Sequence, residues 1–162
     1  MSRAFVKEDR PDTEPLPDLP LSPHPNFVTA RGLAALQSRL AATQAELARL
    51  KARPERLDLM PEKAAERDIR YLSARLASAI LTEPADGDVV TFGHAVTVAN
   101  ADGLETTWEI VGEDEADANL NRITPQSPLA RALLGAEVGD TVTWRRPNGA
   151  AELKIIAIAP VT

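Results

Sequence analysis

The chain has 162 residues, of which 44% are apolar, 26% charged and only 4% aromatic; it has no cysteine, and its two histidines, His24 and His94, lie far apart. This excludes a disulfide scaffold, a cysteine nucleophile and a histidine-rich metal cluster, and it leaves aliphatic side chains to fill the core. The net charge of -6 is unevenly spread, with three basic and five acidic groups over residues 1–28, ten and six over 29–81, and five and thirteen over 82–162, which suits a molecule that turns different ends to different partners.

No apolar run reaches the roughly 20 residues that cross a bilayer, and the first residues lack the apolar stretch of a secretory signal, so a cytoplasmic protein without a membrane partner is expected. Residues 1–26 hold Pro11, Pro15, Pro17, Pro20, Pro23 and Pro25, interleaved with acids. Proline withholds the backbone N–H, and this composition buries little apolar surface, so the segment reads as a disordered, extended tail. Thr29 then offers an N-cap to an amphipathic run. Leu33, Leu36, Leu40, Thr43, Leu47 and Leu50 follow heptad spacing along one side of a helix predicted over roughly 29–52. Pro54 stops it, and Pro61 suits the first turn of a second helix. The second seam is Ala65, Ile69, Leu72, Leu76 and Ala79, with Glu83, Pro84 and Gly87 marking its end. Either seam alone would expose its apolar side chains. Facing each other across a turn near residues 53–60, the two form an antiparallel helical hairpin, predicted over 27–83.

Beyond that, over 84–162, the period shortens to two. Val89, Val90 and Phe92 lead into a strand at 95–98, and the NADG sequence at 100–103 signals a hairpin turn. Trp108, Ile110 and Val111 continue the alternation. Residues 141–144 and 153–158 supply two more strands, joined through Pro147, Asn148 and Gly149. Between the strands, PLARALL at 128–134 reads as a short helix with Ser127 as cap and Gly135 as stop. The fold class is therefore α+β: a helical hairpin followed by a mostly antiparallel sheet with one short helix.

Four segments in this order, TARGLAAL (29–36), FGHAVTV (92–98), IVGEDEAD (110–117) and PQSPLARALLGAEVGD (125–140), resemble the Gre transcript-cleavage and elongation factors, GreA and GreB. The resemblance implies a coiled-coil finger and a C-terminal domain of FKBP-like fold. It further implies that this domain grips the rim of the secondary channel of RNA polymerase, so that the finger projects towards the catalytic magnesium. Such a factor is not an enzyme and has no cofactor of its own; its tip acids help hold a magnesium ion shared with the polymerase active site. The chain is expected to act as a monomer. By position, the docking surface would comprise Thr124, Gln126, Ser127, Pro128, Ala130 and Arg131, with the acids Glu113, Asp114, Glu115 and Asp117 beside it. Gln126 stands where the family often has an acid. Read without the family, Ser127 and Pro128 simply start a helix.

The finger departs from the family pattern. Each arm lacks about two turns, on the order of 13 Å. The family tip, Gly-Asp-Leu-x-Glu-Asn-Ala-Glu-Tyr, is replaced by LDLMPEKAAER at 57–67. Asp58 and Glu62 are the candidate tip acids, and both also suit the start of a helix. Magnesium demands oxygen ligands near 2.1 Å, so carboxylates held short of it cannot bind. Weak or absent cleavage stimulation is thus expected, with active cleavage through Asp58 and Glu62 as the alternative. Arg49, Arg53 and Arg56 would share a face if the helix ran past Lys51, and the resemblance implies that basic groups of the finger approach the nascent RNA; otherwise they lie on a solvated face. The FKBP-like fold also admits a prolyl isomerase, but fold does not carry function, and Phe92, Trp108 and Trp144 offer few aromatics for a substrate pocket.

Overall fold

The computed structural model describes residues 14–162, so the first half of the expected tail lies outside the described residues. Residues 14–26 form no helix or strand, yet they do not stand clear of the hairpin. Arg70 binds the Asp18 carboxylate at 2.5 Å and the Leu16 carbonyl at 2.8 Å, and the Asn26 side chain donates to the Arg75 carbonyl at 2.8 Å. Composition gives no sign of these contacts, because the partners lie about fifty residues downstream.

Helix α1 (Ala30–Lys51) starts where Thr29 accepts a hydrogen bond from the Gly32 amide through its hydroxyl, at 2.9 Å. Helix α2 (Met60–Ser78) has Pro61 in its first turn. At 1.5 Å per residue the arms are about 33 and 28 Å long. They lie antiparallel, and their seam buries Leu36 and Leu72, flanked by Leu33, Leu40 and Leu76, with Leu50 and Ala65 closing it towards the tip. Helix α2 ends before the expected stop at Glu83. Ala79 turns extended, and strand β1 (Phe27–Val28) pairs in parallel with β2 (Ile80–Leu81). The backbone at the foot of the hairpin is therefore held by strand bonds, Ile80 N–H to Asn26 and Thr82 N–H to Val28, which helical geometry would forbid.

The C-terminal unit is a five-stranded sheet of β3 (His94–Ala99), β4 (Glu105–Ile110), β5 (Arg122–Ile123), β6 (Thr141–Arg146) and β7 (Gly149–Pro160), with helix α3 (Pro128–Leu133) against it. The strand order is β5-β4-β3-β7-β6, antiparallel except for the β4–β5 pair. The expected turn signals act as read. Asn100 accepts the Asp102 and Leu104 amides through its side chain, and Gly103 takes a left-handed φ of 78°. Val90, Val96, Val98, Ile110, Leu129, Leu133, Leu153 and Ile155 form the core. Val89 makes only a single bridge to Glu137 and no strand. Strand β5 and the 3₁₀ turn at Ala118–Leu120 carry no periodicity that a sequence reading could catch.

Candidate functional site

The candidate side chains fall in three places: the joint between hairpin and sheet, the corner around α3, and the hairpin tip.

The joint is ionic. Arg31, in the first turn of α1, binds Glu115 at 2.5 Å and Glu109 at 2.6 Å, and Arg122 reaches the same Glu109 oxygen at 3.0 Å. The Thr29 hydroxyl donates to Glu115 at 2.6 Å. On the other arm, Arg75 is only 3% exposed and meets Asp114 at 2.7 Å, Glu113 at 3.3 Å and the Asn26 side-chain oxygen Oδ1 at 2.7 Å. The Tyr71 hydroxyl also donates to Asp114; burial, then that hydrogen bond, pushes its pKa up to about 12. The Arg31 hydrogen bond holds the Glu109 carboxyl below its ordinary range. Gly112 lets the two units approach closely, since a Cβ there would sit 2.5 Å from the Phe27 carbonyl oxygen.

These contacts correct the reading of the acidic loop. Asp114 and Glu115, expected beside a polymerase-facing surface, have side chains only 8% and 6% exposed and face the base of the hairpin. Glu113 is half-buried between Arg75 and the Ser22 hydroxyl. The acids are adjacent in sequence, but their cationic partners lie about forty and eighty residues upstream, so the loop looked free. Asp117 is exposed and caps the 3₁₀ turn through the Asn119 amide.

At the α3 corner, Ser127 accepts from the Ala130 amide at 3.2 Å, the cap expected of it, and the Thr124 carbonyl accepts from the Ser127 amide. Ala130 is fully buried in the core, so it cannot touch a partner as the positional carry-over assumed; its small side chain is what lets α3 sit on the sheet. The Gln126 side-chain oxygen is buried and accepts no hydrogen bond among the described residues. Pro128 and Arg131 are exposed and line a groove of about 320 Å³ together with Ala132, Thr143 and Arg145.

At the tip, Glu62 is 4% exposed, and Arg56 grips both of its carboxylate oxygens at 2.8 and 2.5 Å, with Arg53 3.6 Å away. The Arg56 hydrogen bonds keep the Glu62 carboxyl below its ordinary range. Asp58 is exposed, and its carboxylate accepts from the Met60 amide at 2.9 Å. Arg53 donates to the Leu50 and Asp58 carbonyls, fastening the turn. The helix does not continue past Lys51, so Arg49, Arg53 and Arg56 share no helical face; Arg49 pairs with Glu46 at 2.5 Å. The tip therefore does not fit a magnesium ion held by Asp58 and Glu62. Both Glu62 oxygens are already engaged by the Arg56 guanidinium, and one oxygen of the exposed Asp58 accepts from the Met60 amide on its own turn.

Residues 84–160 match the family model described as transcription elongation factor GreA/GreB, C-terminal. Over 98 residues the chain is 45% identical to transcription elongation factor GreA of Legionella pneumophila, a match covering 57% of this chain and 61% of that one. It is 41% identical over 96 residues to transcription elongation factor GreB of Neisseria meningitidis, covering 57% and 59%. The chain thus spans about three fifths of the length of these curated relatives. Among solved structures, GreA factor homolog 1 (Gfh1) of Thermus thermophilus is 24% identical, covering 84% of this chain and 99% of that one, with a TM-score of 0.41.

Proposed function

We propose that the chain, whose residues 84–160 match the GreA/GreB family model, is a transcription elongation factor of that kind that docks on RNA polymerase through its C-terminal unit and presents a short two-helix arm to the secondary channel. On this reading it regulates elongation as a monomeric accessory factor without catalytic machinery of its own, and it stimulates transcript cleavage weakly or not at all. The observation that carries the reading is the Arg56 clamp on Glu62. Cleavage stimulation would need carboxylates that can give their oxygens to a metal, and releasing Glu62 would leave Arg53 and Arg56 without their carboxylate at a half-closed turn. Asp58 alone is an exposed single charge, screened within about 10 Å at ordinary ionic strength. The ordered arms are about 33 and 28 Å long, which supports a shallow rather than a deep insertion.

Two assays test this. Core RNA polymerase should co-purify with the full chain. In stalled, backtracked complexes the chain should leave the cleavage rate near that of polymerase alone, and Asp58→Ala with Glu62→Ala should change nothing. Strong cleavage by the parent chain that this double variant abolishes would overturn the reading and assign the tip acids to the metal. The basic tip residues Arg49, Arg53 and Arg56 could approach nascent RNA in the same pose; crosslinking of the transcript to the tip tests that separately.

A further inference from the structure

The leader that precedes the hairpin is buried with a period of three. Between Glu14 and Pro25 the half-buried residues are Leu16, Leu19 and Ser22, and the two residues in each interval are exposed. Among the described residues, this stretch makes no backbone-to-backbone hydrogen bond. A three-residue repeat without internal hydrogen bonds is that of a polyproline II helix. The composition suits it: Pro15, Pro17, Pro20, Pro23 and Pro25 each fix φ at about -65° and withhold an N–H.

This rod is fastened in three places. Near its start, Arg70 on the shaft of α2 holds the Asp18 carboxylate at 2.5 Å and the Leu16 carbonyl at 2.8 Å. At its middle it crosses to the sheet unit, where the Ser22 hydroxyl donates to Glu113 at 2.9 Å. At its end the buried Asn26 side chain donates to the Arg75 carbonyl and the Ser78 hydroxyl. From Leu16 to Ser22 a rise of about 3.1 Å per residue spans about 19 Å, so the rod bridges shaft and sheet. The ionic joint grips α2 on one face only: Tyr71 and Arg75, four residues apart, both reach Asp114. Arg70 points about 100° around the helix from Tyr71, so the rod ties the shaft from a second side.

We propose that residues 14–26 are an internal brace, a docked polyproline II rod that fixes the angle between hairpin and sheet unit and so aims the arm before any partner is met. Contacts on two sides of the shaft suppress rocking that contacts on one face leave free. The ties are individually weak, since the Asp18 and Arg70 side chains are 74% and 39% exposed. They suffice because a proline-rich segment has little conformational freedom to lose on docking. The brace therefore governs orientation far more than stability, and it goes beyond the polymerase reading without depending on it.

The chain has no cysteine, so Glu55→Cys at the tip and Asp102→Cys in the distal sheet turn, both exposed positions, give one specific pair for spin labels on the full chain. Pulsed electron paramagnetic resonance should show one narrow distance distribution. Adding Leu16→Ser, Leu19→Ser and Ser22→Ala should broaden it at least about twofold while the melting temperature falls by only about 2–4 °C. Pro17→Gly with Pro20→Gly, which keeps every inward-facing side chain but softens the rod, should give an intermediate width. Equal widths in the parent and the triple variant would overturn the brace, as would a parent distribution that is already broad. A width unchanged by the two glycines would overturn the stiff rod. A fall in melting temperature above about 10 °C in the triple variant would assign the leader to the folding core instead.

Discussion

The joint and the tip of the hairpin are both built from arginine and carboxylate, yet they do different work. At the joint, Arg31 and Arg75 reach acids 38 to 84 residues away, and the ion pairs fix how two units sit on each other. At the tip, Arg56 reaches Glu62 only six residues on, and the pair closes a turn. Long-range pairs specify arrangement because nothing else in the chain brings those elements together. A local pair specifies only a loop. The same chemistry therefore fastens two units together at one end and closes a turn at the other.

The most severe break in this contrast is Arg75→Met, which leaves Asp114 buried without its cation. Removing one partner of a buried pair costs about 3–5 kcal/mol. Urea denaturation should show that loss, whereas the same substitution at Arg56 should lower the midpoint by less, because Arg56 is itself 44% exposed and Arg53 stays 3.6 Å from Glu62. Next comes Gly112→Ala. Its Cβ would meet the Phe27 carbonyl at 2.5 Å, a backbone atom that cannot swing aside. An overpacking cost of about 1–3 kcal/mol is expected, read as a lower melting temperature, with strand β1 losing amide protection first.

A smaller effect comes from acid. Glu109 has its pKa lowered by Arg31 from an ordinary 4.5, so the folded state releases that proton more readily than the unfolded state. The stabilisation is whole above about pH 4.5 and disappears as pH falls through the depressed folded value. Because Glu109 and Arg31 are partly exposed, the contribution is at most about 1 kcal/mol. The acid limb of stability against pH should flatten in Arg31→Met. The smallest effect is predicted for Glu62→Gln, which should alter neither polymerase binding nor cleavage; a large loss of cleavage there would erase the distinction between the two ends.

The hairpin was legible because heptad spacing, Thr29, Pro54 and Pro61 are local signals that tertiary contacts rarely override. The sheet was legible where turns declared themselves, at Asn100 to Gly103 and at Gly149. The acidic loop was misread for the opposite reason. Glu113, Asp114 and Glu115 form an obvious cluster along the chain, and a cluster without visible partners looks like a surface. Ala130 was carried over by position as a docking residue, although its burial depends on how α3 lies on the sheet. The α3–β6 groove went unnoticed because Arg131 and Arg145 are fourteen positions apart and no pattern links them.

By itself the sequence determined the three helices, the longer strands, their order and the α+β class, since periodicity, caps and turn residues act within a few positions of where they stand; the short strands β1, β2 and β5 it did not. Only the tertiary structure decided which charges are spent and which are free. That depends on distances between residues remote in the chain, and folding sets them by packing rather than by spacing. The joint takes Asp114 and Glu115, the tip takes Glu62, and what remains exposed on the C-terminal unit beside α3 is a pair of arginines.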